Sequence, residues 1–114
     1  MPVSKGYEIV PIFSGGGTRL SCYIGILQAL QDMQFRFQHL VGVSGGSIVA
    51  ALYASGWGLG SIKALALDTD FRQFWSYSVT SLLRTGGLCN GDKFETWLDK
   101  QLQGVTFAEL RYDL

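Results

Sequence analysis

The sequence predicts an α/β fold built on a parallel sheet, and three observations carry that prediction. Two short apolar runs, residues 7–13 and 39–43, are separated by a segment whose apolar residues recur at helical spacing. Each run ends in a glycine-rich loop, residues 14–19 after the first and 42–46 at the end of the second. A further apolar segment, residues 47–55, follows the second loop at once. Strand, helix, strand in that order needs a crossover and so a parallel pair, with both glycine loops at the carboxyl ends of the strands, where ligands bind in open α/β sheets.

The first run suits a buried strand, and Pro11, with no N–H to donate, puts it at a sheet edge or makes it locally irregular. From Leu20 the period changes: Leu20, Tyr23, Ile24, Leu27 and Leu30 form one stripe, with Gln28, Gln31 and Asp32 on other faces, which predicts a helix of roughly 14 residues. Residues 39–43 form the second strand, and residues 47–55 read as a helix buried on most sides that Gly56 and Gly58 would stop. The second half reads as helical over 61–67, 71–83 and 92–102, with a turn-rich connection at 84–91. Asp92 and Glu95 have capping-box spacing, Asp92 reads as the cap, and Phe94, Trp97, Leu98 and Leu102 share a face. Asp68 and Asp70 read as solvated loop residues. The helical spacing of Phe71, Phe74 and Trp75, near Tyr77, Leu82 and Leu83, reads as packing onto the core, with a lipid-touching surface as the other reading. Trp57 has the same two readings. No repeat, low-complexity tract or linker interrupts the chain, so one globular unit is expected.

Composition narrows the partner. Of 114 residues 47% are apolar and 16% charged, too hydrophobic for a disordered segment, and nine basic against nine acidic residues leave no field to attract nucleic acid. Five of the eighteen charges (Lys5, Glu8, Arg19, Asp32, Arg36) lie in residues 1–62, which places the buried part of the fold in the first half. The charge-free stretch from Arg36 to Lys63 is long enough to raise a transmembrane helix, but its six glycines and four serines argue against one. The first ten residues have no basic region followed by a small-residue cleavage site, so no secretory signal is evident. Cys22 and Cys89 fit reduced thiols in a cytoplasmic setting. The 15 glycines exceed the usual share of about 7% and serve backbone conformations that other residues avoid.

Those glycines concentrate where chemistry is expected. In the first loop, Ser14 to Arg19, bare glycines let backbone N–H groups converge, and the following helix adds the positive end of its dipole. Such a loop holds a phosphate or an oxyanion, unless the glycines only make a tight turn. A P-loop is excluded because no Lys-Ser/Thr pair follows, and GxGxxG fails at Leu20. The second loop, Gly42-Val43-Ser44-Gly45-Gly46, is a GxSxG at a strand-to-helix junction, the pattern of a nucleophile elbow. A hydroxyl to attack a carbonyl, beside donors for the resulting oxyanion, is what acyl transfer requires. The only histidine, His39, precedes Ser44 by five residues, or roughly 16 Å of extended strand. No Ser-His-Asp triad closes within the chain, and His39 reads as a surface residue at the start of the strand.

Two such loops with no usable histidine resemble the patatin-like phospholipase family of serine acyl hydrolases, which use a Ser-Asp dyad. The resemblance extends through residues 20–30, 86–92 and 106–110. It implies Ser44 as nucleophile, Gly15, Gly16 and Gly17 as oxyanion-hole amides, Gly42, Gly45 and Gly46 as the elbow glycines, and Arg19 as positioning the loop or an anionic headgroup. Leu20 departs from the glycine that commonly follows the arginine. The family's aspartate lies in a downstream Asp-Gly motif, and this sequence has no Asp-Gly pair.

The resemblance implies a patatin-like, α/β-hydrolase-related three-layer architecture. Residues 1–114 are expected to be the amino-terminal part of one catalytic domain, with the carboxyl-terminal part and its base absent, since the chain stops where another strand would begin. The expected substrate is a phospholipid or other acyl lipid, with no cofactor and no metal, peripheral membrane contact, no nucleic acid, and an oligomer or partner chain that completes the fold. The expected location is cytoplasmic or peripheral membrane. Two other readings stand: a non-catalytic module binding phosphate or a lipid headgroup through the same loops, and a fragment that works only by association.

Overall fold

In a computed structural model of the chain, residues 8–15, 21–74, 83–84, 86 and 91–114 are described. Strand β1 (Ile12–Phe13) leads to helix α1 (Cys22–Asp32), strand β2 (Val41–Gly42), helix α2 (Gly46–Ala54) and helix α3 (Leu59–Asp68). A 3-10 turn (Phe71–Phe74), helix α4 (Asp92–Leu102) and a second 3-10 turn (Phe107–Glu109) complete the order. β1 and β2 pair in parallel, Ile12 opposite Val41 and Phe13 opposite Gly42, so the fold is α/β on a small parallel sheet.

β1 is shorter than the apolar run that contains it. Pro11 has no N–H for the ladder, although its carbonyl still accepts Val41 N–H at 3.0 Å, and upstream an isolated bridge joins Glu8 to Arg36. On one face of the sheet Phe13 is buried and α2 lies so close that a Cβ at Gly42 would meet Ser47 Cα at 2.7 Å. On the other face Ile12, Val41, Val10 and Val43 are exposed.

The helices carry out the periodicity. α1 buries Leu27 completely and half-buries Tyr23, Ile24 and Leu30. α2 buries six of its nine residues, and its chain reverses at Ser55 and Gly56, where φ reaches +92°. All ten buried apolar residues among the described ones lie between Phe13 and Ile62, in the charge-poor half.

Beside β2 the structure pairs the last residues, where the resemblance has another strand begin. Leu40 N–H donates to the Asp113 carbonyl at 2.7 Å and Asp113 N–H to the Gln38 carbonyl at 2.8 Å, a parallel bridge on the opposite side of β2 from β1. Arg111 N–H bonds the Ala54 carbonyl at 2.7 Å, and Tyr112 stacks on Tyr53 at 5.2 Å and 15°. The last residues are thereby held against β2 and the end of α2.

The chain has two compact units, Met1–Ala66 with Val105–Leu114, and Leu67–Gly104. In the second unit Phe71, Phe74, Phe94 and Trp97 pack on one another, with centroids 5.3 to 6.1 Å apart. Its rings therefore form a cluster of their own, edge-to-face contacts prevailing as the ring quadrupoles favour. Of the helix expected over 71–83, residues 71–74 form a 3-10 turn, while Trp75, Tyr77 and Leu82 lie outside the described residues. The turn begins at Asp70, whose carboxylate accepts Arg72 backbone N–H at 3.1 Å and the Arg72 guanidinium at 2.9 and 3.1 Å. Asp70 is an exposed loop residue, as expected, and those bonds with Arg72, the side-chain ones foremost, hold its carboxyl below the ordinary aspartate value. α4 corrects another expectation. Gly91 stands at its N-cap, so Asp92 and Glu95 occupy the first turn, where the helix dipole favours negative charge.

Acceptance of a capping residue's N–H by the third residue of a helix occurs instead at Glu109. Its carboxylate accepts both the Thr106 backbone N–H and the Thr106 hydroxyl at 2.8 Å. These bonds, the backbone one foremost, hold Glu109 below the ordinary glutamate value. A lowered carboxylate stabilises above its unfolded pKa and loses that contribution as the pH falls through the folded one. Glu109→Gln should therefore flatten part of the acid limb below about pH 5, read from urea midpoints across the range. A limb of unchanged slope would count against the bond.

Candidate active site

Ser14 and Gly15, the start of the first glycine loop, meet the second loop at the carboxyl ends of β1 and β2. Val43 N–H donates to the Phe13 carbonyl at 2.8 Å, the last bond of the ladder before the chain turns. Ser44 then takes φ +52°, a left-handed conformation that costs a side-chain-bearing residue free energy. With that one residue reversed the backbone enters α2 directly: Gly46 N–H bonds the Val43 carbonyl at 3.0 Å and Ser47 N–H the Ser44 carbonyl at 3.0 Å. Gly45, at φ −57°, is the N-cap of α2. The Ser44 side chain is exposed at the positive end of that helix.

Space explains the glycines of the motif. A Cβ on Gly46 would lie 2.2 Å from the Phe13 carbonyl oxygen and 2.6 Å from that of Ser14. Only a bare backbone lets the start of α2 pass beneath the end of β1. At Gly42 a Cβ would strike the helix as described above. Gly15 faces the elbow from the other loop, its Cβ position being 3.2 Å from Ser44 Cβ and 3.4 Å from Ser44 Oγ. Any side chain there would crowd the hydroxyl. Of the residues singled out in the sequence, Gly15, Gly42, Ser44, Gly45 and Gly46 come together, and Gly16, Gly17 and Arg19 lie outside the described residues.

His39 stays away from this end. Its Nδ1 lies 3.3 Å from Asp113 Oδ2, both side chains exposed, and β2 separates it from Ser44. One contact of the loop had no signal in the sequence. Tyr23, which the periodicity assigns to the apolar stripe of α1, packs edge-to-face on Phe13 at 5.2 Å. Its hydroxyl donates to the Ser14 carbonyl at 2.8 Å and lies 2.8 Å from Ser14 Oγ.

The patatin-like phospholipase family model matches residues 12–114, from β1 through both loops to the last residue. The chain belongs to the patatin-like phospholipase family. Relatives of this patatin-like chain include a Bacillus subtilis (strain 168) protein named "Uncharacterized protein YqhO", 33% identical over 97 residues, which are 76% of this chain and 33% of that protein. Mouse and human "Patatin-like phospholipase domain-containing protein 6" are each 29% identical over 116 residues, 90% of this chain and 8% of theirs. The chain thus spans about a third of the bacterial relative and under a tenth of the mammalian ones. No solved structure matches it.

Proposed function

We propose that this patatin-like chain carries the nucleophile and oxyanion elements of a serine acyl hydrolase acting on ester bonds of phospholipids or other acyl lipids. The observation that carries the reading is the left-handed Ser44 at the strand-to-helix turn with Gly15 against its hydroxyl. In this reading Ser44 Oγ attacks the acyl carbonyl, and amides of Gly15, Gly16 and Gly17 receive the oxyanion, aided by the dipole of α2. The alcohol leaves, and water then releases the acyl group from Ser44. Arg19 positions the loop or a headgroup phosphate.

The proton acceptor is an aspartate from outside residues 1–114, because the sequence has no Asp-Gly pair and His39 is committed to Asp113 at the far end of β2. The exposed apolar face of Val10, Ile12, Val41 and Val43 supports a three-layer architecture in which further helices cover it. No described helix is long and apolar enough to cross a membrane, and the reading places the protein at a membrane surface, where its substrate lies. The missing Asp-Gly pair also favours a second reading, a module that binds a phosphate or headgroup without turnover.

Fluorophosphonate labelling of the full-length protein separates the two readings. An adduct mapped to Ser44 and absent from Ser44→Ala is the expected result. A folded, unlabelled protein that still binds phospholipid vesicles would replace the hydrolase with the binding module.

A further inference from the structure

We propose that Tyr23 is a positioning residue that aims the Gly15 amide at the oxyanion, an inference that rests on the hydrolase reading above. The tyrosine hydroxyl has one proton. It donates that proton to the Ser14 carbonyl at 2.8 Å, so the contact with Ser14 Oγ, also 2.8 Å, is one it accepts from the serine. Ser14 is therefore held at both its main chain and its side chain by a single atom of α1.

The peptide plane turns this clasp into a device. In a planar trans peptide the carbonyl of one residue and the N–H of the next point in opposite directions. Tying the Ser14 carbonyl to Tyr23 thus fixes the line along which Gly15 N–H points, and Gly15 is the glycine packed against Ser44. Without the tie this peptide would be free to rotate about Ser14 ψ and the permissive φ of Gly15.

Two fixed points set the same segment. From one side Gly46 admits the Phe13 and Ser14 carbonyls at distances that no side chain would allow, and from the other Tyr23 grips Ser14. The ring of Tyr23 is itself located by its edge-to-face contact with the buried Phe13. The bond thus ties the residue after β1 to the first turn of α1, nine residues on.

Tyr23→Phe keeps the ring on Phe13 and removes both hydrogen bonds, whereas Ser14→Ala removes only the side-chain bond. In the full-length protein with p-nitrophenyl butyrate as probe, Tyr23→Phe should lower kcat about tenfold with KM within about twofold, as expected when stabilisation confined to the transition state is lost. Ser14→Ala should cost about threefold in kcat, and the heteronuclear NOE of the Gly15 amide should fall in Tyr23→Phe. Wild-type kcat in Tyr23→Phe, or a loss of kcat with an undiminished Gly15 NOE, would overturn the positioning role alone. A wild-type protein that neither hydrolyses the ester nor labels at Ser44 would remove the hydrolase reading and this role with it.

Discussion

Gly46→Ala is expected to destabilise the fold by about 3 kcal/mol or more, at the upper end of overpacking effects, and to abolish labelling of Ser44. The added carbon would lie 2.2 Å from the Phe13 carbonyl oxygen and 2.5 Å from its carbon. Both are backbone atoms, so no rotamer change relieves the clash. β1 and α2 would have to separate by about 1 Å before the contact reached a distance that real Cβ atoms tolerate. The Phe13 carbonyl also receives Val43 N–H at 2.8 Å, so separation strains the final ladder bond and shifts Gly15 away from Ser44. Gly60→Ala is the matched control. Gly60 lies in α3 with nothing within 4 Å of its Cβ position, and alanine in a helix is favoured over glycine by about 0.5–1 kcal/mol. Opposite shifts of the urea midpoint at constant m-value are the expected result. Equal midpoints for Gly46→Ala and the wild type would mean that α2 does not pass under β1 as closely as described.

What could be read from the sequence was local. Periodicity placed the stripe of α1 and the buried α2, and the order of the apolar runs implied the parallel pair, because each signal lies within one segment. The glycines marked both loops, since a backbone needing left-handed φ or close approach leaves its trace in residue type. Tyr23 could not be distinguished from the neighbours in its stripe, because its bond to Ser14 is set by where α1 packs, nine residues away. The resemblance put the start of a strand at the last residues, but its partner had no local signal: residues 111–114 have no apolar run, and their pairing with residues 38–40 depends on a contact across some seventy residues. Gly91 took the cap that spacing gave to Asp92, where the residue types were read correctly and the capping position was not.

At Ser44 the fold and the proposed chemistry pull in opposite directions, and glycine substitution measures the conflict. A left-handed residue with a side chain costs roughly 1–2 kcal/mol relative to the same residue in an allowed well. Ser44 has φ +52° in a turn fixed by the Val43 and Ser44 carbonyl bonds into α2, so the strain cannot relax without unwinding the helix start. Glycine removes the Cβ that causes it, at the expense of a more flexible unfolded chain. Alanine keeps the Cβ and hence the strain. Ser44→Gly should therefore be more stable than Ser44→Ala by about 1 kcal/mol, and more stable than the wild type by a smaller margin. Both variants should lose labelling entirely, because neither has an oxygen to attack. Should Ser44→Gly show no stability advantage over Ser44→Ala, the strained turn would be refuted even if labelling were lost. Should the advantage appear while the wild type fails to label, the turn would stand as a glycine-preferring bend and the nucleophile would not. Gain of stability with loss of labelling is the combination expected when a serine is kept in a strained turn for its hydroxyl.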